Sequence, residues 1–163
     1  MAELVFPDHL CWLLVRAGHV LTTEIAAGLA GLGFGPHEHE VLAAARTGEY
    51  SQIELARMVG MDKTTMVVTL DALEAKGLAE RRPSQEDRRA RVVVVTAKGR
   101  RQAAKGDAVI HRIHEDVLST LAPDERQGLM DGLAHLVGDR LAEPAAAPTQ
   151  PVRRRRARSS AAK

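Results

Sequence analysis

The residues best suited to chemistry in this chain lie between positions 53 and 96. Residues 53–66 read Ile-Glu-Leu-Ala-Arg-Met-Val-Gly-Met-Asp-Lys-Thr-Thr-Met, a spacing that suits two short helices joined by a tight turn. Ala56 is small enough for the point where the helices cross, Gly60 tolerates a positive φ in the turn, and Met66 is the apolar residue of the second helix aimed back at the first. That second helix begins with Lys63, Thr64 and Thr65, which offer donors and a methyl group to base edges in a DNA major groove. Thr69, one turn further, is expected on the same side. The same Ala, Gly and Met would also serve ordinary packing of a helical hairpin, so the residues C-terminal to them decide the reading.

Those residues form a cationic hairpin. Arg81 and Arg82 precede the turn residues Pro83-Ser-Gln-Glu-Asp87, and Arg88, Arg89 and Arg91 come at or just after its tip. Arginine inserts well into a narrow minor groove because its guanidinium is weakly hydrated. Asp87 reads as a positioner, since a carboxylate can hold Arg89 by a bidentate pair. A solvated turn with surface ion pairs is the alternative, and such pairs contribute little.

Other side chains offer different chemistry. His37 and His39 alternate with Glu38 and Glu40, while His111, His114 and Glu115 share one face of a long helix. His and Glu from such places can ligate Zn²⁺. Cys11 is the only cysteine, which excludes an internal disulfide, and no Lys or Arg lies within three residues to activate it. It is expected to be a buried structural residue, with redox sensing as the alternative. No nucleophile elbow, phosphate loop, metal-hydrolase pair or Cys–His arrangement is present, so an enzyme is not expected.

The elements that must carry these residues are mostly helical. Aromatics are only 2% of the 163 residues against 45% hydrophobic in all, which favours a core of Leu, Val, Ala and Met in helices. Residues 8–30 place Leu10, Leu13, Leu14, Ala17, Leu21 and Ile25 at helical spacing. Pro36 suits the first turn of a second helix to about residue 46, and Ser51 with Glu54 forms a capping box for a third, to about 59. Asp62 caps a fourth, which Gly77 ends. Residues 79–82 and 91–95 read as hairpin strands, Thr96 caps a helix over 97–119, and Pro123 opens a last helix to about 141. The fold class is therefore mostly α with a small β-hairpin wing: a winged helix–turn–helix (36–95) flanked by dimerisation helices (8–30 and 97–141). Residues 1–142 are read as one domain.

Residues 143–163 hold three prolines and the arginines at 153–156 and 158, and are expected to form a disordered basic tail. Its charge hides the balance of the rest. Residues 1–142 contain 17 of the 23 Lys and Arg but 20 of the 21 Asp and Glu, a net of −3. A non-specific architectural DNA protein would carry positive charge throughout, so a sequence-specific binder is the better reading. No run is expected to be apolar enough to span a membrane, and the N-terminus lacks a basic region before its apolar start. A cytoplasmic protein is expected.

The segment Leu70-Asp-Ala-Leu-Glu-Ala-Lys-Gly77-Leu78, then Arg81-Arg82, then Asp87-Arg88-Arg89-Ala90-Arg91 through Thr96-Ala-Lys-Gly99, resembles the MarR family of winged-helix transcriptional regulators. Residues 36–42, Pro-His-Glu-His-Glu-Val-Leu, are similar to that family's second helix. The resemblance covers about residues 8–141. It implies a homodimer on double-stranded pseudopalindromic DNA, commonly a repressor released by a small ligand, metal or oxidant in a crevice beside the DNA-binding part. It requires no cofactor. It also implies that His37, His39, His111, His114 and Glu115 border that crevice, where zinc-responsive members bind metal, and that Cys11 matches the position used by a peroxide-sensing branch. The apolar stripes of the first and last two helices argue for pairing independently, since one chain offers them few partners.

Overall fold

The computed structural model describes Phe6, residues 8–84 and residues 91–142. The chain divides into two compact units, residues 1–120 and 121–163. The first contains helix α1 (Leu10–Leu29), a 3-10 turn (Ala30–Leu32), α2 (Pro36–Ala45), strand β1 (Tyr50–Ser51), α3 (Gln52–Met58), α4 (Lys63–Ala75), strands β2 (Ala79–Pro83) and β3 (Arg91–Val95), and α5 (Ala97–Leu118). The second contains α6 (Pro123–Gly138).

Each helix end has a local cause. Pro36 opens α2, and the N–H of Gly35 donates to the Glu38 carboxylate at 2.9 Å. Ser51 Oγ accepts from the N–H of Glu54, whose carboxylate accepts from the N–H of Ser51, so the capping box forms as the spacing predicts. Gly77 takes φ 65° after α4, and two backbone bonds close the helix there: Gly77 N–H to Glu74 C=O and Leu78 N–H to Leu73 C=O, both 2.9 Å. This is the left-handed stop that a side chain would strain. Thr96 caps α5 by accepting from the N–H of Gly99 at 2.9 Å, and it also donates to the Gly77 carbonyl at 2.9 Å. The end of the wing and the end of α4 are thereby tied together.

The sheet has the order β1–β3–β2 and is antiparallel throughout, with Arg81 opposite Val93 and Pro83 opposite Arg91. The two-residue strand β1 is not evident in the sequence, where the capping box dominates the local signal. One core cluster joins Leu29, Leu42, Leu55, Met66, Leu70, Leu73, Leu78 and Val93. It seats the inner face of α4 on α2, α3 and the sheet.

Helix α1 departs from expectation. Of its residues only Leu29 is buried; Leu10 is 57% exposed and Val15 66%. Cys11 is exposed too, which corrects the expectation of a buried structural thiol. The stripe is real, and its C-terminal end is the packed part: Ile25 lies against the core and Gly28 against Val109 and Ile113 of α5. Residues Leu10–Leu32 also reach the length and composition of a membrane span, with hydropathy 1.2, contrary to the expectation that no run does so. Arg16 and Glu24 interrupt the stretch, and each would be costly in hydrocarbon.

Candidate nucleic-acid interface

The N-terminus of α4 is organised by one carboxylate. Asp62 accepts from the N–H groups of Thr64 (2.8 Å) and Thr65 (3.0 Å) and from the Thr65 hydroxyl (2.6 Å). The Thr65 hydroxyl above all, then the amides, holds the Asp62 carboxyl below the ordinary range of aspartate. Thr65 is therefore half-buried and committed to the cap, while Lys63 and Thr64 are exposed.

The direction of the helix is set by its core side. Met66, Leu70 and Leu73 are fully buried and Thr69 is only 6% exposed. At 100° per residue the opposite face is Thr64, Val68, Asp71 and Ala75. Thr69 does lie one turn beyond Thr65, but it turns toward α1 and α2 rather than outward, while Thr65 is held by Asp62. Thr69 lines a hollow of about 440 Å³ with Val68, Thr22, Pro36 and His37, and its burial leaves it almost no surface to offer a base edge. This corrects its place among the expected DNA contacts. The next residue after Thr64 on the outward face is Val68, which a search for polar side chains passes over. Gln52 and Arg57 share a depression with Lys63 at the junction of α3 and α4.

The arginines divide by role. Arg81, at the middle of the edge strand β2, is clasped by α4. Its N–H donates to Glu74 Oε1 at 2.7 Å, its Nη1 to Glu74 Oε2, and its Nη2 to Asp71 Oδ1 at 2.8 Å. The outward N–H of an edge strand is thus satisfied by a helix carboxylate, and the wing is pinned to α4. Arg82 contacts Glu80. Arg91 is exposed at the start of β3. The expected contacts Arg88 and Arg89, with Asp87 as positioner, lie outside the described residues.

The histidines do not assemble as a metal site. Among the described residues no group of three or more His, Cys, Asp or Glu could hold an ion. His39 is buried, stacked on Phe34, with Nε2–H donating to Asp107 at 2.9 Å. His37 lines the hollow beside α4, and His114 borders a second hollow of about 510 Å³ with His39, Glu40 and Ile110. His111 is exposed and Glu115 half-buried. Within one chain the expected zinc set is not brought together: His39 is committed to Asp107, and His37 and His114 border different hollows. Burial also raises the Glu40 carboxyl above its ordinary range, against the pull of His37 and His39.

Asp107 joins α5 to α2 by accepting from His39 and from Arg46 Nη1 at 2.6 Å. Arg46 chiefly, and His39 after it, hold the carboxyl below its usual range despite some desolvation. A depressed value means that this stabilisation is complete above the unfolded aspartate range, about 4, and fades as pH falls through the folded value. Asp107→Asn is expected to cost about 1 kcal/mol or less at pH 7, given the partial exposure of the pair. The gap in Tm from wild type should close below pH 4, and a gap unchanged from pH 7 to pH 3 would contradict the assignment.

Comparison with known proteins bears on this geometry. The profile of the MarR family matches residues 32–90. CouR, a transcriptional repressor solved bound to a 23-mer DNA duplex, is 30% identical and superposes with TM-score 0.73 over 83% of this chain and 99% of its own. The chain belongs to the MarR family. A MarR-family regulator from Silicibacter pomeroyi is 28% identical with TM-score 0.72, covering 82% of this chain and 90% of that one. CouR from Rhodococcus jostii bound to p-coumaroyl-CoA is 23% identical, shares the fold at TM-score 0.75, and covers 90% of this chain and all of its own. As a MarR-family member the protein is a DNA-binding transcriptional regulator and not an enzyme. Its mostly helical winged helix–turn–helix is the fold expected from the sequence, with the short strand β1 added to the hairpin.

Proposed function

We propose that the protein is a homodimeric repressor that reads a pseudopalindromic operator and is released by a small organic ligand, acting in the cytoplasm. The observation that carries this reading is the outward N-terminal half of α4, where Lys63 and Thr64 stand exposed beside a wing clasped to the same helix. Lys63 and Thr64 contact base edges or phosphates in the major groove, with Thr65 holding the helix cap. Arg91 of the wing, with Arg88 and Arg89, reaches phosphates or the minor groove.

Pairing is supported by apolar side chains that one chain leaves in water: Leu10, Leu14 and Val15 on α1, and Leu129, Met130 and Val137 on α6. Two-fold pairing through such faces presents two reading helices to a symmetric site. The hollows beside α2 fall in the size range of small-molecule sites. CouR is solved with both DNA and p-coumaroyl-CoA, and an organic effector is favoured here over zinc because the histidines do not converge.

The test is fluorescence anisotropy on the protein's own upstream DNA against random duplex, in EDTA and then with graded Zn²⁺. The expected preference for the operator exceeds ~10³, zinc leaves it unmoved, and Lys63→Ala or Thr64→Ala weakens operator binding about tenfold. Equal affinity for both duplexes would make the protein a non-specific binder, and binding that appears only with zinc would restore a metal sensor.

A further inference from the structure

We infer that Val68 reads the C5 methyl group of a thymine, and so sets the operator base facing the second outward turn of α4. This deepens the reading of α4 above and rests on it. The four residues on the outward face are Thr64, Val68, Asp71 and Ala75, and Val68 is the one large apolar side chain among them. It is 64% exposed, although it belongs to a helix whose other large apolar residues are buried or half-buried, and only its edge toward α1 and α2 borders the hollow that Thr69 lines. Asp71 is neutralised by Arg81, and Ala75 lies at the end of the helix away from the groove-entering N-terminus. Thr64 and Val68 are therefore the side chains that face bases over the first two turns.

An isolated exposed valine on a free surface needs no explanation. A valine on a surface that is dehydrated against DNA does. Base edges in the major groove are donors and acceptors except at one place, the thymine methyl. A donor or acceptor pressed against Val68 would lose its water without gaining a partner, at a cost comparable to an unmade hydrogen bond. A thymine there buries methyl against methyl instead. The discrimination thus has two parts, gain from the methyl and penalty for other edges, and neither requires a hydrogen-bonding side chain at position 68. Searching the sequence for polar readers favours Thr69, four residues after Thr65, but burial removes Thr69 and leaves this apolar contact.

The experiment begins by selecting the operator from random duplexes with the full-length protein. Each thymine is then replaced singly by deoxyuridine, which deletes only the C5 methyl. Wild type is expected to lose about three- to fivefold in affinity at one thymine and its symmetry mate. Val68→Ser should show no further loss there and should accept other bases at that position, while Val68→Ile keeps the wild-type profile. Thermal unfolding of each variant should match wild type, because the side chain is exposed. A deoxyuridine profile identical in wild type and Val68→Ser overturns the inference. Lys63→Ala separates the two levels. If it weakens operator binding while the deoxyuridine profile is indifferent to residue 68, only the methyl contact is lost. If neither Lys63→Ala nor Val68→Ser changes the preference over random DNA, the reading of α4 itself fails, and the inference with it.

Discussion

Gly99→Ala is expected to destabilise the protein by about 3 kcal/mol or more, lowering Tm by about 10 °C at fixed protein concentration. A methyl group at residue 99 would fall 1.9 Å from the carbonyl oxygen of Leu78 and 2.9 Å from Val95 Cγ1. The first of these is backbone, so no rotamer change relieves it. The Leu78 carbonyl also accepts from the N–H of Thr96 at 3.0 Å, and Leu78 is part of the core. Relief therefore requires α5 to lift from the α4–wing junction, or that bond to break with Leu78 displaced. Gly106→Ala is the informative contrast. Its added methyl meets side-chain atoms, His39 Cδ2 at 2.6 Å and Phe34 Cζ at 3.1 Å, and these can shift by rotation. A smaller cost of about 1–2 kcal/mol is expected there. Urea and thermal unfolding of both variants decide the matter, and a Gly99→Ala protein melting within about 2 °C of wild type would show that the junction is not the tight contact described.

The same junction shows what a linear reading of the chain reaches and where it stops. Gly77 after Leu73, the Thr96 cap and the Ser51–Glu54 box are local events within a few residues, and the structure forms each one. The close approach of Gly99 to Leu78 joins residues 21 positions apart, and nothing near Gly99 announces it. The α1 stripe is similar. Its spacing is legible, but whether Leu10 or Val15 is covered depends on partners that spacing does not specify. At the reading helix the difficulty is one of direction. Residue type nominates Lys63, Thr64, Thr65 and Thr69, and the buried side Met66, Leu70 and Leu73 keeps Thr64 on the outward side, turns Thr69 inward and brings Val68 out. That could have been found by taking the helix direction from its core residues before asking which polar ones remain.

Charge counting has a related weakness, and Arg81 gives it a quantitative test. Five arginines over residues 81–91 read as one cationic probe, but Asp71 and Glu74 lie ten and seven positions earlier on a different element. The fold brings them onto Arg81 in a three-bond clasp. Arg81 is thus a positioning residue for the wing. Arg81→Ala would release β2 from α4 and also leave the outward-facing Asp71 uncompensated beside the DNA phosphates. Both effects weaken binding, and a loss of about 10- to 100-fold in operator affinity is expected. Hydroxyl-radical footprints should then lose protection at the operator flanks, where the wings lie, and keep it at the centre. Glu74→Gln distinguishes positioning from direct contact. If Arg81 touched DNA, removing a nearby negative charge would preserve or strengthen binding. If the clasp sets the angle of the wing, Glu74→Gln weakens binding and thins the flanking footprint in the same way as Arg81→Ala. The double variant should then lose little more than either single one, because both remove a single linkage. Arg81→Lys retains the charge but not the forked geometry, and should recover only part of the loss. Full operator affinity in Glu74→Gln, with Arg81→Ala defective, would move Arg81 from the support of the wing to the DNA surface itself.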